Sequence, residues 1–391
     1  MPIKVMTVFG TRPDAIKMSP VILELQRFPE KVTVVVAVTG QHRELLHQVL
    51  DVFQIKPRYD LDIMRVKQSL SEITTRSLEG LERIILKEQP DIVLAQGDTT
   101  TTFTATLAAF YNKVAIGHVE AGLRTDNKYD PFPEEMNRRL TTVLADLHFA
   151  PTPAARENLL AEGVPSRKIY VTGNTVIDAL LMVAERPWTF DDPVLVNIGS
   201  DGRRMILVTA HRRENWGDPM ARICRAIKDI VESFPDTLVV FAVHKNPVVR
   251  DVVLPALRGL ERVHLIEPPD YVPFVHLLKK AYLILTDSGG VQEEAPTLHL
   301  PVLVLRETSE RGEGIAAGAA RLVGRRRADI VAAASHLLRH PGAREAMAHI
   351  PNPYGDGRAA GRIRQALEFH FGIRRRRPAD FLPPPLPPDG A

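Results

Sequence analysis

IKVMTVFGTRPDAIK, residues 3–17, is the stretch whose reading decides the fold. Residues 3–9 form an apolar run with β-branched side chains, suited to a strand buried on both faces of a parallel sheet. The turn Gly10-Thr11-Arg12-Pro13 follows at once, and Ile16, Val21, Ile22 and Leu25 then fall at helical spacing. This predicts a first βα unit. It matches neither GxGxxG nor a P-loop, so dinucleotide and Walker readings fail. It presents Arg12 and Lys17 near a helix N-terminus, which suits an anion as well as it suits two solvated cations.

The same alternation runs outward from there. Residues 32–39 read as a strand, followed by Gly40-Gln41-His42-Arg43-Glu44 and an amphipathic helix through Phe53. Residues 70–88 read as a long helix, and IVLAQ after Pro90-Asp91 as a strand ending in Gly97-Asp98. A short run at Val114, Ala115 and Ile116 leads to His118 and Glu120, and further strands are expected at 146–150 and 168–172. After a polar, proline-rich stretch at 186–203, a candidate hinge, the pattern restarts. Strands are expected at 205–209, 238–243, 263–266, 282–286 and 302–305. The first two end at His211 and His244, and the fourth runs into Asp287-Ser288-Gly289-Gly290. The pattern predicts an α/β chain of two Rossmann-like, doubly wound domains facing a cleft, spanning residues 1–173 and 174–354. A last helix over 355–372 should pack back on the first domain, and the proline-rich tail 373–391 should be disordered.

With 391 residues, 45% hydrophobic and 25% charged, the chain is an ordinary globular one with room for a large core. A single cysteine, Cys224, excludes an intrachain disulfide. No stretch approaches about 20 apolar residues, so no membrane association is expected, and no signal peptide is evident. These features point to the cytoplasm. A net charge of +3 is too small to argue for nucleic acid. His42, His118, His211 and His244 are scattered strand-end residues without metal spacing, so no metal is expected. The absence of a GxSxG elbow excludes the serine-hydrolase reading.

Ligands of open α/β sheets bind outside the carboxyl ends of the strands, and that is where the polar residues collect. Asp98 and Glu120 both stand there. The segment after Glu120 carries Arg124, Asp126 and Asp130, is stiffened by Pro131 and Pro133, and opens a helix with Glu134 and Glu135. Several acids on a stiffened loop can do proton chemistry on a polar ligand. A solvated loop before a helix with an acidic first turn is the bland alternative. In the second half, Ser288-Gly289-Gly290 allows close backbone approach and suits phosphate, with Glu294 one turn further placed for ribose hydroxyls; a plain N-cap is the competing reading. His211, beside Arg212, Arg213 and Glu214, is an acid–base candidate.

FGTRPDAIK (9–17), QGDTTTT (96–102), HVEAGLRT (118–125), PFPEEMNR (131–138), TGNTVIDAL (172–180), HRRENWG (211–217) and LTDSGGVQEEAP (285–296) together resemble the non-hydrolysing UDP-N-acetylglucosamine 2-epimerases. The resemblance runs over residues 3–371. It implies a glycosyltransferase B type fold, a homodimer, no metal and no nicotinamide cofactor. It also implies interconversion of UDP-GlcNAc and UDP-ManNAc for cell-envelope polysaccharides. Carried over by position, Asp98, Glu120, Glu134 and His211 would be the acid–base set. Arg12, Lys17, Ser288, Gly289, Gly290, Glu294 and Arg311 would hold UDP, with Phe274 near the uracil. Gln41, His42, Gln68, Glu135 and His244 match positions where many bacterial members bind a second UDP-GlcNAc as activator.

The chain departs from the family pattern at Pro269, where Gln is common, at Glu44, and at Glu310-Arg311-Gly312-Glu313-Gly314, where ERPEA is usual. Three other readings stay open: a glycosyltransferase of the same fold, a hydrolysing epimerase that releases ManNAc, and a non-catalytic sugar-nucleotide-binding regulator.

Overall fold

The computed structural model describes residues 2–40, 43–65, 67–198 and 202–383. They form two compact units, one of Met1–Ala179 with Tyr354–Leu382 and one centred on Leu180–Pro353. In the first unit β1 (Ile3–Phe9), β2 (Val32–Val38), β3 (Tyr59–Asp60), β4 (Ile92–Gln96), β5 (Ala115–Val119), β6 (Leu147–Ala150) and β7 (Ile169–Val171) pair in the order β3-β2-β1-β4-β5-β6-β7. Every pairing is parallel, with Val5 opposite Val34 on one side and Ile92 on the other. The order reverses between β1 and β4, so the switch point, where doubly wound sheets bind ligands, lies at Gly10 and Gly97.

The second unit repeats the plan with β8 (Arg204–Thr209), β9 (Thr237–Ala242), β10 (Val263–Ile266), β11 (Leu283–Thr286), β12 (Val302–Val304) and β13 (Ala320–Leu322) in the order β10-β9-β8-β11-β12-β13. Alternate strand residues serve two cores. Ile206, Val208, Val239 and Phe241 meet Met220, Ile223 and Ile227 of the helix Asp218–Ser233. Leu207, Val240, Ile284 and Val302 face Leu277, Leu278 and Val291 instead. Because both faces are buried, the strands read as apolar runs rather than as alternating patterns.

The structure differs from the sequence reading in three places. β3 and β13 were not expected: each is only two or three residues long at a sheet edge, with a part-exposed pattern that carries no apolar run. The boundary between units falls at Ala179, inside the helix Thr175–Ala184, and not at 173 or in 186–203. The carboxylate of Asp178 explains this: it accepts the backbone N–H groups of Ala359 and Ala360 and ties that helix to the start of the last one.

The third difference is the tail. Residues 373–383 are not a disordered end: Phe381 is buried, its N–H donates to Val171 O at 2.7 Å, and Asp380 accepts from Val171 N–H at 2.9 Å. Arg377 stacks 4.1 Å from the Tyr170 ring and donates to the carbonyls of Arg167 and Ile169. Composition averaged over the tail concealed one aromatic anchor and the open edge of β7 that it covers. Residues 384–391 lie outside the described residues. The last helix, Ala359–His370, buries Ile363 and Leu367, and Arg364 reaches Glu24 at 2.8 Å.

Candidate active site

In the first unit the site starts from backbone that only small residues permit. A Cβ on Gly10 would fall 2.3 Å from Thr39 Oγ1 and 2.4 Å from Thr101 Oγ1, so glycine is required where β1 ends. Thr11 then caps the helix Arg12–Gln26 in a box with Asp14. Asp14 also accepts from Gly10 N–H and Thr99 Oγ1; burial pushes its carboxyl up to about 6 against those hydrogen bonds. Arg12 opens this helix, part-exposed, and Lys17 lies one turn further.

Lys17 Nζ meets Glu120 Oε2 at 2.5 Å. The same carboxylate accepts from Gln96 Nε2 at 3.1 Å and from Asn174 Nδ2 at 2.8 Å. Glu120 is thus held from β4, from the turn after β7 and from the first helix. Its backbone adopts a left-handed φ of 66°, a conformation that costs a non-glycine residue on the order of 1–3 kcal/mol and that its several side-chain contacts help to hold.

Asp98 follows β4 and pairs with Arg138 Nη2 at 2.7 Å, while its carbonyl accepts from Asn137 Nδ2 at 2.9 Å. Burial raises the Asp98 pKa; Glu120 and Glu134 push the same way, whereas Arg138 and Lys17 oppose them. With 29% of its side chain exposed, Asp98 remains within reach of solvent. The helix Glu134–Leu144 therefore supplies Glu134, Asn137 and Arg138 at i, i+3 and i+4 from one face. Glu134 keeps a buried carboxylate oxygen with no hydrogen bond among the described residues. The peptide bonds before Pro131 and Pro133 are both cis. Behind the acids, His118 is fully buried and touches Gly97 O through Nε2 at 2.7 Å; burial pulls its pKa down to about 3, so it is a neutral donor.

In the second unit His211 follows β8 and Asp287 follows β11, the two strands that flank that sheet's switch point. Ser288 leads into the helix Gly289–Glu294 and makes no side-chain cap bond. A Cβ on Gly289 would lie 3.5 Å from Arg212 Nη2 and 3.8 Å from Arg311 Cζ, so two guanidiniums flank that backbone. Arg212 is braced by Glu310 at 2.8 Å and Arg311 by Glu293 at 2.5 Å. Burial alone would raise the Glu310 carboxyl, but its own backbone N–H, Arg212 and Arg306 outweigh that and bring it down to about 2. Glu294 is buried and accepts from the Tyr271 hydroxyl at 3.0 Å; Phe274, half-buried, packs beside the same core.

The structure brings the expected residues together as two groups, one in each unit: Lys17, Asp98, Glu120 and Glu134, then His211, Ser288, Gly289, Gly290 and Arg311. Gln96, Asn174, Arg138, Arg212 and Asp287 carry no role of their own in the sequence reading. Gln96 and Asp287 stand at strand ends, a position that could have marked them, but nothing in the sequence announces the pairing of Asn174 with Glu120. Of the activator positions, Gln41 and His42 lie outside the described residues. Gln68 accepts from Arg76 at 3.4 Å, and His244 is exposed and stacks on His211. Glu135 is fully buried, bonded to Arg139 at 2.8 Å and to Thr125 N–H at 3.2 Å, so its carboxylate is engaged internally. Among the described residues no group of His, Cys, Asp or Glu could hold a metal ion, and no helix is long and apolar enough to cross a membrane.

A family model for UDP-N-acetylglucosamine 2-epimerase matches residues 24–368. A UDP-N-acetylglucosamine 2-epimerase of Bacillus subtilis is 53% identical over 379 residues, covering 97% of this chain and 98% of that protein. Among solved structures, Staphylococcus aureus MnaA with UDP matches at a TM-score of 0.87 and 45% identity, covering 97% of this chain and all of that one. The UDP-GlcNAc 2-epimerase from Neisseria meningitidis, bound to UDP-GlcNAc, matches at a TM-score of 0.84 and 50% identity, over 93% of this chain and 99% of its own. The fold is the glycosyltransferase B type of these neighbours. With strand-end acids, a two-arginine glycine turn and near-complete coverage by such relatives, the chain belongs to the UDP-N-acetylglucosamine 2-epimerase family.

Proposed function

We propose that this chain interconverts UDP-GlcNAc and UDP-ManNAc by eliminating UDP and adding it back. The C2 hydrogen has no neighbouring carbonyl to acidify it, so direct deprotonation is too costly. If the C1–O bond to UDP breaks as C2 loses its proton, the product is a 2-acetamidoglucal. UDP then re-forms the C1–O bond while a proton arrives on the opposite face of C2. Proton traffic on two faces calls for more than one acid–base group. The observation that carries the reading is the set of three carboxylates Asp98, Glu120 and Glu134 in the first unit: Glu120 is paired with Lys17 at 2.5 Å, while burial raises Asp98. Carboxyls in unlike environments can hold and take protons at the same pH. His211 completes the acid–base set. The departing diphosphate carries negative charge, which Arg12, Arg212, Arg311 and the backbone at Ser288-Gly289-Gly290 would stabilise. Glu294 and Phe274 would meet the ribose and uracil.

In this reading the enzyme works in the cytoplasm, supplies cell-envelope polysaccharide precursors and is a homodimer. A second copy has a face to cover: Phe110 and Tyr111 end one helix, and Met136, Leu140 and Val143 line the exposed side of its neighbour Glu134–Leu144, with Val143 82% exposed.

The test is incubation of the pure protein with UDP-GlcNAc in heavy water. Deuterium at C2 of intact UDP-sugar is expected, and Asp98→Asn, Glu120→Gln, Glu134→Gln and His211→Asn should each lose about 10²–10⁴-fold in turnover. Free ManNAc would mean hydrolysis. No incorporation would mean a transferase or a binder, and would end the epimerase reading.

A further inference from the structure

We propose that Asp287 is a positioning residue that fixes the tautomer and tilt of the His211 imidazole, turning Nδ1–H toward its carboxylate and leaving Nε2 as the nitrogen that exchanges a proton. The inference rests on the reading that His211 belongs to the acid–base set.

Asp287 and His211 are brought together by the sheet. They follow β11 and β8, which pair with Thr286 opposite Thr209, and the two threonine hydroxyls are bonded at 2.7 Å. The Asp287 side chain is fully buried. Its Oδ2 accepts from His211 N–H at 2.8 Å, Arg212 N–H at 2.9 Å and Asn215 Nδ2 at 2.9 Å. Those donors set the carboxylate plane and saturate one oxygen. The other, Oδ1, is buried without a hydrogen bond among the described residues, and His211 Nδ1 lies 3.3 Å from it. A buried carboxylate oxygen needs a donor, and a small rotation of the ring brings Nδ1–H onto it.

The backbone of His211 and one face of its ring are also held. Trp216 Nε1 donates to His211 O at 3.1 Å. The His244 ring stacks on the imidazole with centroids 5.4 Å apart and planes 18° apart. His244 Nδ1 accepts from Asn246 N–H at 3.1 Å, and burial followed by the nearness of His211 lowers its pKa against the opposing pull of Asp287. The charged neighbours on the loop are engaged elsewhere: Arg212 with Glu310 at 2.8 Å and Glu214 with Arg306 at 2.7 Å. A buried acid that sets an imidazole's tautomer without taking its proton is the arrangement that serves serine proteases.

A purely structural Asp287, tying the β8 loop to β11 through Oδ2, would share these contacts. Asp287→Asn separates the two roles. The amide oxygen can keep all three Oδ2 bonds, while its NH2 faces Nδ1 and cannot accept, so the proton moves to Nε2. The full-length protein labelled with ¹⁵N-histidine should show His211 as the Nδ1–H tautomer in the wild type and as Nε2–H in D287N. For UDP-GlcNAc, kcat should fall about 10²–10⁴-fold while KM stays within about threefold. Thermal melting should be nearly unchanged. An Nε2–H tautomer in the wild type overturns the inference whether or not the variant folds. So does a folded D287N with wild-type kcat, or one that changes KM alone. A wild type that fails to exchange the C2 hydrogen would defeat the epimerase reading instead, and the tautomer measurement, which needs no turnover, would still decide the role of Asp287.

Discussion

Acidification should loosen the first unit through His118, and the size of the effect follows from its environment. His118 is buried on β5 and neutral, with a pKa pulled from an ordinary 6.5 to about 3, first by burial. A base whose folded pKa is depressed contributes stability that is fully present above its unfolded pKa and lost as pH falls. Between pH 7 and pH 5 the unfolded imidazole takes up a proton and the folded one does not. Linkage then gives a loss of about 2 kcal/mol over that interval. Other groups move too. Asp14 and Asp178, both raised to about 6 mainly by burial, act in the opposite sense, their stability being present at low pH and lost as pH rises. A single pH profile would mix these terms, so the informative quantity is a difference. His118→Gln keeps a donor for Gly97 O and cannot titrate. Denaturant-dependent hydrogen exchange of peptides covering 92–119 gives the opening free energy of this region without averaging over the second unit. The wild-type value should fall relative to H118Q by about 2 kcal/mol from pH 7 to pH 5. A difference that stays constant across this range would show that His118 is not held neutral by burial.

Three further outcomes are expected. Gly10→Ala should cost about 1–3 kcal/mol, because its Cβ would meet the bonded pair Thr39 and Thr101; an unchanged melting curve would show that the pair can move aside. Phe381→Ala should cost about 3 kcal/mol, and deletion after Gly372 should lower the melting temperature as well; if both melt like the wild type, the tail adds nothing to the first unit. Val143→Glu should convert a dimer to monomers in light scattering, whereas a variant that stays dimeric would place the interface elsewhere.

The parts of the fold that were legible in the sequence are those where burial leaves a one-dimensional trace. β1 and β4 are enclosed on both faces and read as mainly apolar runs. β3 and β13 sit at sheet edges, are two and three residues long, and leave no such trace. Strand-end acids such as Asp98 and Glu120 were visible because position alone marks them. Which residues pair with them was not, because Lys17 lies 103 residues from Glu120 and Asn174 lies 54 away, and pairing at that distance is a property of the folded sheet. The tail was misread for a related reason: proline and arginine content describes an average, whereas the anchoring of Phe381 and Asp380 on β7 depends on two residues.

That anchoring bears on how the protein is made. Synthesis runs from the N-terminus, and domains generally fold as they emerge. The first unit cannot finish in that order, since its closing pieces begin at Tyr354, after the whole of Leu180–Pro353. Until they appear, the helix carrying Glu24 lacks Arg364 and the edge of β7 lacks Asp380. The late segment also reaches the candidate catalytic acids. Tyr354 O accepts from Asn174 N–H at 2.7 Å, and the side chain of Asn174 in turn holds Glu120. A ribosome-bound chain stopped anywhere before Tyr354 therefore leaves Asn174 without that anchor, so Leu180–Pro353, the bulk of the second unit, is synthesised before the segment that completes the support of Glu120.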